Sequence, residues 1–213
     1  MMLSSAFARA VDMAVGEHLE DVRKGSGVPY LAHVFGVCSL VLEEGGSEAQ
    51  AIAALLHDVP EDKGGRRRLE DIRARFGDEV ARIVEACSDS LAEDARAKEE
   101  WWPRKQRYLS DLGTHRPEAL LVSLADKVYN ARAILADYRG VGEEVWSRFK
   151  AGRDGQLWYY RQLAPIYRAA GVRSPLVGEL ERIVAELDQL VAARAAAGAA
   201  VEVREAPSVR GVA

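Results

Sequence analysis

An all-α fold is what this sequence predicts, and three features predict it. Apolar residues recur at helical spacing along almost the whole chain. No stretch alternates apolar and polar residues with the period of two that a strand needs. Proline, glycine and serine fall where helices begin and end. No repeat with a period of roughly 20–50 residues is present, so a solenoid is excluded. The expectation is one helical domain over residues 1–195, followed by an Ala/Gly-rich and then irregular tail, 196–213, expected to be disordered.

Each element has its own signal. Phe7, Val11, Met13, Ala14 and Leu19 mark a first helix. Pro29 suits the first turn of a second one, carried by Tyr30, Val34, Val37, Leu40, Val41 and Leu42. Ser47 can cap a third, AQAIAALLHDV, and Pro60 supplies its end, because the residue before a proline disfavours the helical region. A loop with Gly64, Gly65 and three arginines follows. Leu69 to Phe76 reads as a short helix stopped by Gly77, and Asp78 can cap another running to about Cys87. Ser88 to Ala97 is polar and irregular, a loop. WWPRKQRYLSDL reads as a helix from Pro103, with Trp101 and Trp102 packing at its start. Pro117 opens EALLVSLADKVYNARAILADY, apolar on most faces and therefore central, which Gly140 and Gly142 break. Glu143 to Arg168 is helical with an interruption at Ala151–Gly155. Ser174-Pro175 opens the last helix, LVGELERIVAELDQLVAARA, whose apolar stripe either closes the core or makes a homodimer surface.

Bulk chemistry narrows the function classes. With 213 residues, 48% hydrophobic and 29% charged, this is the composition of an ordinary soluble globular protein. A formal net charge of -4 gives no reason to expect nucleic acid as a partner, so an anionic ligand would need a local basic patch. The first twenty residues carry Asp12, Glu17 and Glu20 and no signal-peptide pattern. No apolar run approaches the twenty or so residues that span a membrane. Cys38 and Cys87, far apart in apolar surroundings, read as buried free thiols of a reducing compartment. The expected location is cytoplasmic.

The chemistry concentrates around two of the four histidines. His33 lies in PYLAHVFGVCSL and His57 in AIAALLHDVPED, where Asp58, Glu61 and Asp62 follow within five residues. That many polar groups after an apolar run is costly if buried and unpaired, and a cation offsets the cost. Adjacent helical residues point about 100° apart, so His57 and Asp58 can share an ion only near a helix end. Further ligands must come from other helices. Asp126 interrupts the most apolar helix, and Asn130 lies one turn on, on the same face. A purely structural Asp126 would instead pair with Lys127 or Arg132. His33, His57, Asp58 and Asp126 form a set of two imidazoles and two carboxylates without thiolate. Such a set suits Mn2+, Fe2+ or Zn2+ with open positions rather than a closed zinc site. Glu61 and Asp62 are then placed for acid–base work or for orienting water on a phosphate ester or anhydride.

These segments resemble the HD-domain metal-dependent phosphohydrolases. Within them they are most similar to the alarmone-hydrolase branch, the RelA/SpoT hydrolase domain and the Mesh1-like small hydrolases of ppGpp. The resemblance is carried by RKGSGVPYLAH (23–33), AALLHDVPED (53–62), FGDEVARIVEACSD (76–89) and LADKVYNAR (124–132), in matching order over residues 20 to 165. It implies a single HD-domain bundle with His33, His57, Asp58 and Asp126 as ligands of one ion, usually Mn2+. It further implies Glu61 and Asp62 as the pair activating water, and hydrolysis of the 3′-pyrophosphate of ppGpp or a related nucleotide. Arg23 and Lys24 match the family's basic pair beside the nucleotide, and Asn130 its substrate-side asparagine. Two stretches depart from the pattern: Pro60 and Lys63-Gly64-Gly65 around the Glu-Asp pair, and WWPRKQRY. A second reading keeps the donor set and changes the substrate to a 5′-nucleotide, a dNTP or a cyclic nucleotide. A third is a nucleotide-binding helical domain without turnover.

Local positive charge on an acidic chain comes from Arg23-Lys24, Arg66–Arg68 and Arg104-Lys105. Arg104 and Lys105 open a helix beside a loop and are expected to reach phosphates, while Arg66–Arg68 suit a solvated face equally well. Tyr159, in the Trp158-Tyr159-Tyr160 cluster, is the ring expected to stack on a purine. His18 and His115 have no partner pattern and read as surface residues.

Overall fold

The computed structural model describes residues 2–94 and 98–205. Ten α-helices follow one another among the described residues: α1 (Ser5–His18), α2 (Leu31–Glu43), α3 (Glu48–Leu56), α4 (Val59–Lys63), α5 (Gly65–Phe76), α6 (Asp78–Cys87), α7 (Trp101–Leu112), α8 (Pro117–Val141), α9 (Gly152–Ala169) and α10 (Pro175–Glu205). A 3-10 turn, Gly142–Arg148, links α8 to α9. An isolated bridge, Val22 to Pro29, closes the turn before α2.

Two helices carry the architecture. In α3 every residue from Gln50 to Leu56 is buried, so it cannot be a surface helix. Ser47 starts it with a capping box: its hydroxyl accepts from the Gln50 N–H at 3.2 Å, and Gln50 Oε1 accepts from the Ser47 N–H at 2.8 Å. The Gln50 amide also donates to the Glu118 carbonyl at 2.9 Å, tying α3 to the first turn of α8. Helix α8, opened by Pro117, is the other axis and packs on α2, α3, α6, α9 and α10. The apolar stripe of α10, Leu176, Val177, Leu180, Ile183, Val184 and Leu187, closes the core against α8 and α9. Exposed pairs Arg132–Glu179 and Arg161–Asp188 border it and add little energy.

Boundaries differ from the sequence reading in instructive places. Pro60 does not end α3. The break falls earlier, at His57 and Asp58, and Pro60 sits in the first turn of the new short helix α4, where its missing N–H costs nothing. Helix α5 starts at Gly65, not Leu69. Gly65 has φ 58° and lies against the backbone of Leu91 and Ala92, where a Cβ would have no room, while Arg66 N–H donates to the Leu91 carbonyl. Gly77 rather than Asp78 occupies the cap of α6. Helix α7 begins at Trp101, with Trp101 and Trp102 stacked edge-on at 5.0 Å and Trp102 against Trp158 at 4.9 Å. Gly140 is accommodated inside α8, and the last helix continues to Glu205; the rest of the expected tail lies outside the described residues, as do 95–97 of the expected loop. Cys38 and Cys87 are free and buried.

The approach of α2 to α8 positions the site, and Gly36 permits it. A Cβ at Gly36 would run into the Tyr129 ring of α8, and that ring packs edge-on against His33 at 5.3 Å. Gly36→Ala is therefore expected to destabilise the protein by about 1–3 kcal/mol through overpacking, read as a shift in the denaturant midpoint. Adding Tyr129→Ala to that variant should recover part of the loss, because the two changes share one contact. Simple additivity of the two would refute the close-approach account.

Candidate metal centre

Four elements converge on one point. His33 comes from the second residue row of α2, His57 from the end of α3, Asp58 from the start of α4 and Asp126 from the middle of α8. The helix break lets two adjacent residues face the same place. With φ -90° and ψ -12°, Asp58 turns the chain from α3 into α4, and the His57 and Asp58 side chains meet across the bend. His57 Nδ1 donates to the Ala54 carbonyl at 2.8 Å, which satisfies a free carbonyl of the last turn of α3. That bond leaves Nε2 of neutral His57 as the lone-pair atom facing inward.

The separations suit a shared cation. His33 Nε2 lies 3.3 Å from His57 Nε2 and 3.3 Å from Asp58 Oδ2; His57 Nε2 lies 3.1 Å from the same oxygen. Asp126 Oδ1 approaches the two imidazoles at 3.4 and 3.6 Å. Donors about 2.1 Å from a common centre stand roughly 3.0–3.4 Å apart in octahedral or tetrahedral arrangement, and all these edges but the 3.6 Å one from His57 to Asp126 fall in that range. His33, His57 and Asp58 offer ligand atoms that all lie within 4.8 Å of one another; Asp126 adjoins that trio through the imidazoles. Two imidazole nitrogens and two carboxylates, nearly all buried, form a set whose chemistry fits a divalent metal, and the buried His33 Nδ1 has no partner among the described residues.

Protonation behaviour points the same way. Burial works against a proton on either imidazole. At His33 burial prevails and the proton affinity falls; at His57 the charges of Asp58 and Asp126 outweigh it and the affinity rises. Asp58 and Asp126 are held well below the usual carboxylate range in spite of their burial, by His57 and His33 at Asp58 and by Lys127 and His57 at Asp126. The cluster holds two anions that demand positive charge between them.

Neighbouring side chains fix these candidate donors. Tyr30 donates its hydroxyl to Asp58 Oδ2, and its ring lies between His18, at 4.8 Å, and His33, at 5.4 Å. The Asn130 amide donates to Asp126 Oδ1 and Lys127 Nζ to Asp126 Oδ2, each at 2.6 Å. Arg23 reaches across from the 23–28 turn and donates to Asn130 Oδ1 at 2.8 Å. The chain Arg23–Asn130–Asp126 thus runs from the surface turn to the buried donor set. Lys127, which pattern alone offered as a mere structural partner for Asp126, occupies only one carboxylate oxygen and leaves the other facing the histidines. Arg132 pairs with Glu179 instead.

A cavity of about 190 Å³ opens beside these side chains, lined by Asp58 and Asp126 together with Glu61, Asp89, Lys105 and Lys127. The Glu61 carboxyl is raised to about 7, first by desolvation and then by the neighbouring Asp89 charge. Asp62 is raised by partial desolvation and by Asp58. Asp89 lies opposite in character, held well below its ordinary range by Lys105 and Arg104 against its own burial. Cys87 also borders the cavity, its thiol pushed up by burial and therefore kept protonated. A larger cleft of about 570 Å³ lies beyond Asp89 and Tyr108, against α6, α7 and the start of α8, and contains none of the four donors.

Several expected residues are placed otherwise. Lys24 is exposed on the turn, one residue past the inward-directed Arg23. Arg104 does not line the small cavity; its guanidinium pairs with Asp89 and lies 3.6 Å from Glu61 Oε1. Tyr159 offers no open face for a base: it is 4% exposed, with Lys105 Nζ 4.9 Å over its ring and Trp101 and Tyr160 edge-on beside it. His18 is no surface residue but buried and bonded to Asp21 at 2.9 Å, and His115 is half-buried near Tyr108. Arg66 and Arg68 pair with Glu85 and with Glu17 and Asp71, away from the cavity. Tyr30, Asp89 and Lys127 were not singled out as site residues; the only signal for them in the chain is their nearness to His33, the end of α6 and Asp126.

Helical bundle and mixed imidazole–carboxylate centre together define a class. A family model for the HD domain matches residues 10–157, and the chain belongs to that family. Human guanosine-3′,5′-bis(diphosphate) 3′-pyrophosphohydrolase MESH1 is 34% identical over 144 residues, 66% of this chain and 74% of that protein. The Xenopus tropicalis MESH1 is 31% identical over 191 residues, 86% of this chain and 94% of its own. Among solved structures, a metazoan ortholog of SpoT described as hydrolysing ppGpp superposes with a TM-score of 0.69 at 24% identity, covering 87% of this chain and 97% of that one, a likeness of fold. A protein of Listeria monocytogenes EGD-e gives 0.62 at 28% identity, with 73% and 97% covered. No helix among the described residues is long and apolar enough to cross a membrane.

The buried Asp126–Lys127 pair gives a direct test of how neighbouring side chains hold the candidate donors. Lys127→Met leaves the Asp126 charge without its nearest cation and is expected to cost on the order of 3–5 kcal/mol in urea unfolding without added metal. Saturating divalent metal should return part of that loss by mass action. A variant as stable as the parent under both conditions would rule out the pair as a support of the centre.

Proposed function

We propose that this chain is a metal-dependent phosphohydrolase that removes the 3′-pyrophosphate of ppGpp, leaving GDP and pyrophosphate. The observation that carries the proposal is the joint one: MESH1 relatives matched over 74% and 94% of their own length, and a cluster of His33, His57 and Asp58 able to hold a metal ion within this chain's HD domain. His33, His57, Asp58 and Asp126 hold one divalent ion, with Mn2+ preferred for a set of imidazoles and carboxylates. When bound, such an ion polarises a phosphoryl oxygen and makes water a stronger acid.

The remaining work falls to side chains. Glu61, poised at about 7, takes a proton from the attacking water, and Asp62 orients that water. The water oxygen bonds to the phosphorus carried by the ribose 3′ oxygen, that P–O bond breaks, and the 3′ oxygen leaves as a hydroxyl with the proton returned to it. Lys105 and Lys127 face the anionic group from within the cavity, and Arg23 with Asn130 flanks it from the turn. About 190 Å³ accommodates a diphosphate group but not a whole nucleotide, so the nucleoside lies outside, towards the 23–28 turn where Lys24 is exposed. The substrate is a soluble cytoplasmic nucleotide on this reading.

The test is metal analysis of the purified protein with a Mn2+-supplemented assay of pyrophosphate release from ppGpp. Activity on other nucleotides but none on ppGpp would sink the alarmone assignment. Asp58→Ala is expected to abolish both bound metal and turnover. Glu61 works as the carboxylate, populated above its pKa, so kcat/KM, which reports the free enzyme, should rise as pH passes through about 7. Glu61→Gln should remove that limb and lower kcat by about 10²–10⁴-fold; an unchanged limb in the variant would assign it to another group.

A further inference from the structure

Asp89 belongs neither to the donor set nor to the proton-transfer pair, yet it is a hub of the cavity's wall. It follows the end of α6 and carries a side chain only 3% exposed. Two successive residues of α7 converge on it. Arg104 Nη1 donates to Oδ1, and Lys105 Nζ stands 2.7 Å from Oδ2. That contact helps to hold the Asp89 carboxylate well below its ordinary range, and an ammonium carries three donors, so pairing with one oxygen leaves others for an incoming anion. The same ammonium lies 4.9 Å over the Tyr159 ring and 5.8 Å over that of Tyr108, and Lys105 lines the cavity. The same Arg104 Nη1 lies 3.6 Å from Glu61 Oε1, and the Arg104 Nε is buried and unpartnered among the described residues.

A lysine on a four-carbon stem samples many rotamers, and at a cavity mouth it would spend most of them in water. One buried carboxylate and two aromatic walls select a single one, with the charge turned into the cavity. We propose that Asp89 is a positioning residue: it clamps Lys105 over the cavity to receive the pyrophosphate group and holds Arg104 against Glu61. The assignment of pyrophosphate rests on the hydrolase reading above. Its role is opposite in sign to its own charge. Removing an anion from the wall of an anion site should tighten binding by Coulomb's law alone, whereas removing a clamp should weaken it.

The experiment is calorimetric titration of the Mn2+-loaded full chain with inorganic pyrophosphate, alongside steady-state kinetics on ppGpp, for Asp89→Asn, Lys105→Met and the double variant. Asp89→Asn is expected to weaken pyrophosphate about tenfold or more and to raise KM for ppGpp similarly, because charge-assisted contacts to the anion are lost. Bound metal should stay unchanged, and kcat should fall less than KM rises. The double variant should bind no more weakly than Lys105→Met alone, since both changes remove one contact. Tighter or unchanged binding in Asp89→Asn, or full additivity in the double, overturns the proposal. Asp89→Glu, which keeps the charge but displaces it by one methylene, guards against a folding failure: weaker binding in it supports the clamp, and wild-type affinity overturns it. A wild-type chain that binds pyrophosphate but releases none from ppGpp refutes the proposed function and leaves the clamp to the titration; one that binds no pyrophosphate refutes the clamp.

Discussion

The carboxylate of Asp126, carried into the middle of the central helix α8, is the constraint around which the rest of the structure is arranged. An ionised group there has lost its water and must be compensated on every side. Lys127 and Asn130 take one oxygen each, and the oxygen shared with Asn130 is turned to His33 and His57. Those two imidazoles can face it only because α2 comes close enough to α8 over Gly36 and because α3 ends where it does. The bend at His57 and Asp58 is a consequence: a continuous helix would send the second carboxylate about 100° away from the first imidazole.

Charge then spreads outward in alternating layers. The buried donors are surrounded by Tyr30, Asn130 and Lys127, and these by Arg23 and Lys105. A net acidic chain thereby presents a small cavity in which anions and cations are interleaved, rather than the broad basic face a nucleic acid would require. The cavity's walls differ in how they are held. Arg23 is fixed by a hydrogen bond to a residue that itself bonds a donor, whereas Lys105 is held by charge and aromatic rings. Carboxylates set close together in such a space are pushed apart in proton affinity, Glu61 upward and Asp89 downward, and that separation lets one of them exchange protons near neutrality.

Much of this was legible in the chain. Helical spacing, the Ser47 cap and Pro117 located the main helices, because those signals are local and act within one or two turns. The same local reasoning found His57-Asp58 and the intrusive Asp126, since polar residues inside apolar runs must be paid for by some partner. It misjudged Pro60, because a proline breaks a helix and begins one with equal ease, and only the burial of Val59 and Pro60 in the tertiary structure decides between them. It also left His18 on the surface and gave Tyr159 an open face; both lie where separate helices cover them, which no pattern within one helix reveals.

Sequence by itself determined the class of fold, the place of most of its helices, and the residue types able to hold a cation, since these depend on periodicity, caps and donor chemistry. The tertiary structure alone decided which of the basic residues face the cavity: Lys105 and Lys127 do, Arg104 turns to Glu61 and Asp89, and Arg66 and Arg68 pair with acids elsewhere. The reason is that a cation's direction is set by the nearest buried anion, and those anions arrive from helices far away in the chain.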